Sequence, residues 1–363
     1  MRKDRQIILF GPWAPPYGGV ATHMRDLYEN LKMSNFSARV FGYGNFVPKQ
    51  DIDKIYFSPR YKWLWTLLKI FECTSPGDII HKHSVLTSYP DRYFLQTFLW
   101  LLKVKKFKWV ETIHDETLVS RYEDFSHAIK GQFPTYLSKA EKINTIGERL
   151  RIFLIDLGIS EEKIVVSSPL LPIRFSPSET EIPDYLSAFY NSHSPMITTI
   201  GPFHPLYDFK TIVKAFLSLK YDYPQAGLII INARFARDIK YEKEVKSLIE
   251  KSPKDILSLY ELERERVLYI LNKSNLFLRG TGQESFGLSR IESILMGTPV
   301  VSTKAGETRY MVLYEHGNPD DLYEKMKAVL DGKIKIDINE AQAFFKRMAD
   351  ENLRRITDIY RDI

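Results

Sequence analysis

At 363 residues the chain is longer than one compact core usually holds, so two domains are expected. A hydrophobic content of 44% with 26% charged residues excludes a disordered or low-complexity chain, and a single cysteine, Cys73, excludes a disulfide framework and a cysteine-based zinc site. The charged start runs straight into a strand-like stretch and no 18-residue apolar run follows, which predicts neither a signal peptide nor a membrane span, and hence a cytoplasmic protein.

The net charge of +6 is uneven, with 25 Lys+Arg against 18 Asp+Glu in residues 1–175 and 26 against 27 in the remainder. A basic first half suits an acidic partner such as lipid headgroups or phosphorylated acceptors, or only a solvated basic surface.

In chain order, residues 6–10 predict a strand that ends in the Gly/Pro loop 11–19, followed by a helix over 20–31 with Val20, Met24, Leu27 and Leu31 on one stripe. Further strands are expected at 38–41, 79–81, 109–113, 143–146 and 164–167. Residues 168–195, with Pro169, Pro172, Pro177, Pro183 and Pro195, read as a linker or a domain entrance. Alternation then restarts: strands at 196–200, 227–231, 275–278 and 299–302, and helices at 209–219, 239–250 and 288–296. Residues 339–363 predict one long amphipathic helix. Two such α/β halves predict two parallel sheets, with a ligand held between them.

The most informative stretch is GTGQESFGLSRIESILMGTPVV, residues 280–301, in which Glu284 and Glu292 lie eight residues apart. On one continuous helix they would be about 12 Å apart, too far to face each other across one glycosidic bond. A better arrangement puts Glu284 in the loop after a strand and lets Phe286 and Gly287 open a helix that carries Glu292. A helix start offers free N–H groups and a positive dipole end, which favour a diphosphate, and Gly287 lets the backbone come close.

This stretch resembles the E-x7-E signature of the retaining GT-B glycosyltransferases of family 4, and Met296 to Val301 resemble that family's turn into the next strand. Pro15-Pro16-Tyr17-Gly18-Gly19-Val20 with His23 and Leu27 resembles its first glycine-rich loop and helix, and Thr112-Ile113-His114-Asp115 its strand-end histidine. The resemblance covers nearly the whole chain in the expected order. It implies an α/β GT-B fold: a Rossmann-like acceptor-side domain at 1–172, a nucleotide-sugar-binding domain at 173–340 facing it across a cleft, and a helix at 341–363 crossing back to the first domain.

By the same resemblance, Glu292 binds the ribose hydroxyls, Glu284 contacts the donor sugar, and Phe286, Gly287 and Leu288 present backbone N–H groups. Gly18 and Gly19 sit beside the diphosphate, with Gly201 in the donor site. His114 stabilises the transition state, and His23 is an acceptor-side candidate. The donor is a nucleotide-diphosphate sugar, with no cofactor and no metal; the acceptor is a glycan or lipid-linked sugar in surface polysaccharide synthesis. The alternative is a catalytically silent GT-B subunit that partners another transferase.

One departure stands out. The family's Arg and Lys in the loop after the first strand of the second domain align here with Pro202 and Tyr207. Lys210 is then the nearest cation, with His204 and Arg279 as further candidates. Asp51-Ile52-Asp53 is formally D-x-D but sits in a polar stretch, and it predicts no metal site. Finally, 61–71 and 93–109 mix Trp, Phe and Lys, which suits either peripheral binding to an anionic membrane or helices buried against the sheet; no nucleic-acid motif is present.

Overall fold

The computed structural model describes residues 5–13, 18–43, 55–58, 63–84, 92–114, 116–167, 170, 182–232 and 238–363. Pro15, Pro16 and Tyr17 of the first loop, Asp51 to Asp53, Tyr61, Lys62, Asp115 and most of the proline-rich segment lie outside these residues. The chain forms two compact units: Met1–Leu170 with Ala349–Ile363, and Leu171–Met348. The expected boundary at 172 thus falls at 170, and the last helix contributes its residues up to Met348 to the second unit.

In the first unit the order is β1 (Gln6–Pro12), α1 (Gly19–Met33), β2 (Ser37–Tyr43), β3 (Ile55–Ser58), α2 (Trp63–Cys73), β4 (Ile79–Ser84), α3 (Arg92–Lys105) and β5 (Lys108–Ile113). Then come α4 (Thr117–Arg121), α5 (His127–Ser138), β6 (Lys142–Thr145), α6 (Glu148–Asp156) and β7 (Ile164–Val166). The seven strands pair in parallel in the order β3-β2-β1-β4-β5-β6-β7. The chain moves outward one way from β1 and then returns to lay β4 on its other side. The C-terminal ends of β1 and β4 therefore open a crevice, the switch point at which such sheets bind ligands.

Strand β4, Ile-Ile-His-Lys-His-Ser, is wholly buried, and period-two alternation divides its polar residues between the two faces of the sheet. Lys82 and Ser84 face the core built by α2, α3 and α5, where Phe98, Trp109 and Tyr136 pack. There Lys82 donates to Glu111 on β5 at 2.9 Å and to Ser84, Ser84 donates to Glu111, and Trp109 Nε1 donates to the other Glu111 oxygen at 3.0 Å. His81 and His83 face α1 and the last helix, beside Met24, Leu27 and Ile356. His81 is tied through its two ring nitrogens to Tyr360 at 2.5 Å and to Thr112 at 2.6 Å. That link pins the C-terminal helix to the sheet.

The second unit runs α7 (Asp184–Ser192), β8 (Met196–Gly201), α8 (Phe209–Leu219), β9 (Gly227–Asn232), α9 (Ile239–Ile249), β10 (Ile256–Tyr260) and α10 (Arg264–Asn272). It continues with β11 (Leu276–Arg279), α11 (Leu288–Leu295), β12 (Val300–Ser302), β13 (Val312–Leu313), α12 (Pro319–Leu330) and α13 (Ile338–Asp362), whose end belongs to the first unit. Its six parallel strands are ordered β10-β9-β8-β11-β12-β13, so the switch point lies between β8 and β11. Helix α7 corrects the reading of 168–195 as linker throughout: Leu186 is buried with Met196, Ile229 and Ile270. Leu186, Phe189 and Tyr190 do keep helical spacing, but over only nine residues beside Pro183 and Pro195 that signal is too short to outweigh the prolines. Among the described residues no helix is long and apolar enough to cross a membrane.

Breaking a buried pair costs more than replacing it. Lys82→Met, which removes the cation facing Glu111, is expected to destabilise the first unit by about 3–5 kcal/mol, and Lys82→Met with Glu111→Leu by clearly less. Urea unfolding of both variants checks this; equal losses would assign the cost to packing rather than to charge.

Candidate functional site

At the switch point of the first unit, the ends of β4 and β5 and the face of α1 bring together His83, His114 and His23. Helix α1 forms because Ala21, Met24, Leu27, Tyr28 and Leu31 make a continuous buried stripe, and its spacing puts His23 on the same side. His83 Nδ1 lies 3.0 Å from His114 Nε2, and the His23 ring packs edge-on against His114 with centroids 4.7 Å apart. The backbone N–H of Leu170 donates to His23 Nδ1 at 3.1 Å. The Nε2 atoms of His23 and His83 are buried and meet no partner among the described residues.

Burial pushes the His23 imidazole down to about 3; His81 falls to about 3 through burial and then the neighbouring His23. Burial and the other histidines take His83 and His114 well below the usual range. All four are therefore neutral at pH 7. Sequence reasoning singled out His23 and His114 but missed His81 and His83, whose only signal was polar residues inside a buried strand.

Three of these rings offer nitrogens within 4.8 Å of one another, the spacing of a three-histidine cation site. The donor chemistry does not fit one. Because Leu170 donates to His23 Nδ1, the ring proton sits on Nε2, and His23 has no lone pair left for a metal. A ligating histidine instead donates its second nitrogen outward. What the group can do is hydrogen-bond the hydroxyls of a bound molecule, His23 Nε2 as a donor.

Gly18 precedes α1 in extended backbone and Gly19 is its first residue, exposed, with nothing among the described residues within 4 Å of where a Cβ would stand.

At the switch point of the second unit, Arg279 ends β11 and meets Glu284 side-on, Nε to Oε2 at 2.9 Å and Nη2 to Oε1 at 2.5 Å. Its Nη1 donates to the Ile200 carbonyl at the end of β8 at 2.6 Å, and its guanidinium lies over the Tyr207 ring, 4.8 Å from the centroid. Arg290, wholly buried, approaches the same carboxylate at 3.4 Å. Burial alone would raise the Glu284 carboxyl, but the Arg279 charge and hydrogen bonds, with Arg290, hold it below the usual carboxylate range. Burial draws Arg290 down to about 10, still charged at neutral pH.

The helix carrying Glu292 begins at Leu288, as expected, and Gly287 is its N-cap, with a left-handed φ of 88°. A Cβ there would lie 2.3 Å from Arg290 Nε, so the glycine makes room for the buried guanidinium. Phe286 is buried, and its carbonyl accepts from Glu307 N and from Arg290. Glu292, also buried, accepts from Arg264 Nε at 3.1 Å and Nη2 at 2.6 Å. Sequence reasoning missed Arg264, which lies 28 residues away with no motif around it.

Two expected donor-site residues are engaged otherwise than their sequence positions suggested. The Lys210 ammonium is paired with Glu244 at 2.9 Å and lies over Tyr241, because the helix start turns it toward α9. The space beside Gly201 is filled by Tyr207, whose Cδ1 would stand 2.4 Å from a Cβ there. His204 accepts the Leu206 N–H at 3.2 Å, capping its own short turn.

These geometries stand beside three comparisons. Residues 188–346, which lie within the second unit, match the family model described as glycosyl transferases group 1. No curated protein matches the sequence. Among solved structures, HepE of Anabaena in complex with UDP and glucose is 15% identical, covering 98% of this chain and all of that one, with a TM-score of 0.73. A glycosyltransferase from Rickettsia africae is 17% identical over 99% of both chains, TM-score 0.73. Sucrose-phosphate synthase from Thermosynechococcus elongatus is 15% identical over 98% of this chain and 95% of that one, TM-score 0.62. At these identities the likeness is one of fold: two Rossmann-like parallel-sheet units of the GT-B class.

The neutral histidines give the first unit a pH dependence of definite sign. Their folded values are depressed, so below pH 6.5 the unfolded chain takes up protons that the folded chain refuses. Their contribution is intact above that pH and is lost as pH falls from 6.5 toward 3. Each histidine contributes up to about 1.4 kcal/mol per pH unit in that window. Urea unfolding between pH 7.5 and 5 is expected to show a steep loss, shallower in His23→Gln; parallel slopes for the two proteins would refute it.

Proposed function

We propose, on the premise that the second unit is a glycosyl transferases group 1 domain, that the chain is a retaining glycosyltransferase that moves a sugar from a nucleoside-diphosphate sugar to a glycan or lipid-linked acceptor. The observation that carries this reading is the pair Glu284 and Glu292 on either side of one helix entry at the β8–β11 switch point, each carboxylate already oriented by arginine. HepE, solved with UDP and glucose, supports a nucleotide-sugar donor.

In this reading Glu292 holds the ribose hydroxyls and Glu284 the donor sugar, and the start of α11 receives the diphosphate. The acceptor oxygen attacks C1 on the face that the diphosphate leaves. The C1–O bond to phosphate breaks, the acceptor proton passes to the leaving phosphate oxygen, and configuration is retained without a protein nucleophile. The neutral His114, held by His83, donates a hydrogen bond without adding charge beside the developing oxocarbenium ion. The orphaned Nε2 atoms of His23 and His83 support a hydroxyl-rich ligand in the first unit, since an unpaired buried group costs about 1–3 kcal/mol until something satisfies it.

Transfer is expected to run in EDTA. In that buffer Glu292→Gln raises KM about tenfold with little change in kcat, and Glu284→Gln chiefly lowers kcat. Initial-rate kinetics with the donor that best stabilises the chain against heat provide the check; the reverse split would overturn the division of roles. The silent-subunit reading is favoured by one feature, the Glu244 partner of Lys210, and would be adopted if no nucleotide sugar were turned over.

The transferase reading keeps a peripheral membrane contact for the first unit within the two stretches its sequence suggested, 61–71 and 93–109, but moves it off Phe107 and Trp109. Phe107 and Trp109 are buried in the sheet core, and Lys108 pairs with Glu141 at 3.3 Å. The exposed apolar residues are instead Leu68 and Phe71 on α2 and Trp100 and Val104 on α3, with Lys105 over Phe71 at 4.3 Å and Lys103 and Lys106 exposed nearby in sequence. Spacings of three and four residues put each pair on one helix face. Flotation with anionic vesicles at low salt is expected to recover the wild type, and Leu68→Ser with Trp100→Ser to reduce recovery strongly. Equal recovery of both would leave these helices without a membrane role.

A further inference from the structure

The loop after β8 lacks the two basic residues that the family resemblance expects, and the second unit must meet a leaving diphosphate with some other charge. Of the three cations that the sequence offered, two are otherwise engaged. Lys210 is bound to Glu244, and His204 caps its own turn. Arg279 remains, and its setting is unusual.

Its guanidinium lies at the switch point itself, fastened to the end of β8 through Ile200 and to the loop before α11 through Glu284. Beneath it is the ring of Tyr207, the residue standing where one of the missing cations would be. Tyr207 is in turn seated against Gly201, where a Cβ would collide with its ring. Three of the five guanidinium N–H groups go to the Glu284 carboxylate and the Ile200 carbonyl, and the Tyr207 side chain supports the group both beneath its plane and by a hydrogen bond.

The local charge does not balance either. Arg279 and Arg290 are both buried and both approach Glu284, so one carboxylate serves two guanidinium groups. Arg290 Nε has no hydrogen-bond partner among the described residues, and Glu307, which also favours the Arg290 charge, is shared with Arg309 at 3.0 Å. A buried excess of positive charge is costly unless an anion answers it. The first turn of α11 adds its dipole to the same place.

We infer that Arg279, seated on Tyr207, is the residue that neutralises the diphosphate of the donor, with Glu284 as its resting counter-ion. The cation has moved from the loop after β8 to the end of the neighbouring strand, and the aromatic ring left behind positions it. This rests on the transferase reading above and adds the phosphate contact that the reading lacks.

The test is calorimetry on the full chain with UDP, GDP, ADP, CDP and dTDP, followed by the mono- and diphosphate of whichever nucleoside binds most tightly. Absence of binding by the wild type to all five would overturn the transferase reading itself. Given binding, Arg279→Met is expected to weaken the diphosphate about tenfold or more while changing the monophosphate little, so that the preference for the second phosphate disappears. Glu284→Gln is expected to hold or raise diphosphate affinity, because it removes the competing anion. Arg279→Met with Glu284→Gln, which leaves no carboxylate stranded, is expected to keep a near-native Tm and to bind as Arg279→Met does. Tyr207→Leu should fall between wild type and Arg279→Met. The inference is overturned if Arg279→Met retains the wild-type preference for diphosphate, or if the double variant folds and retains it. It is equally overturned if Glu284→Gln loses diphosphate affinity as fully as Arg279→Met.

Discussion

A parallel strand cannot follow its predecessor through a tight turn, because the chain must first return to the starting edge of the sheet. Every strand in this protein is therefore separated from the next by a crossover, and in each sheet the crossovers change direction once, beside β1 in the first unit and beside β8 in the second. At those two places the loops leaving adjacent strands diverge, and side chains at the strand ends are left facing a crevice rather than a covering loop. His83 and His114 stand at one, Arg279 and Ile200 at the other. The side chains described above occupy these two openings.

What fills the two crevices is opposite in electrical character. The first unit gathers four imidazoles under conditions that keep each of them neutral, so its switch point is polar without being charged. The second gathers two guanidinium groups around one carboxylate, so its switch point carries an excess of positive charge. A neutral, hydrogen-bonding surface suits hydroxyls, and a positive one suits phosphate. The division assigned to acceptor and donor sides thus corresponds to how each unit treats buried charge, independently of any family likeness.

Both arrangements depend on support from a distance. Tyr360, 279 residues after His81, fixes that ring, and Leu170 fixes the proton on His23. Tyr207, held beside Gly201, carries Arg279, and Gly287 leaves the space that Arg290 fills. Removing any of these supports would leave the supported side chains present but differently oriented.

Much of the α/β alternation was legible in the chain itself, because strand and helix periodicity are local: Val20 to Leu31, residues 209–219 and the buried runs at 79–81 and 227–231 declare themselves over a few residues. The Glu284-to-Glu292 spacing, the glycine before the helix and the strand-end His114 were legible for the same reason. Helix α7 was not, since its Leu186, Phe189 and Tyr190 repeat over nine residues only and stand between prolines. The burial of Phe107 and Trp109, and the exposure of Trp100, were not either: a Lys- and aromatic-rich stretch reads alike whether its rings face a sheet or a solvent. Nor could the sequence rank Lys210, His204 and Arg279, because their difference lies in partners 2 to 34 residues away, or, for Ile200, 79 away. Sequence determined which residues alternate and which motif they carry. Tertiary structure alone decided which charges meet, because an ion pair is a distance in space, and nothing in a local pattern encodes it.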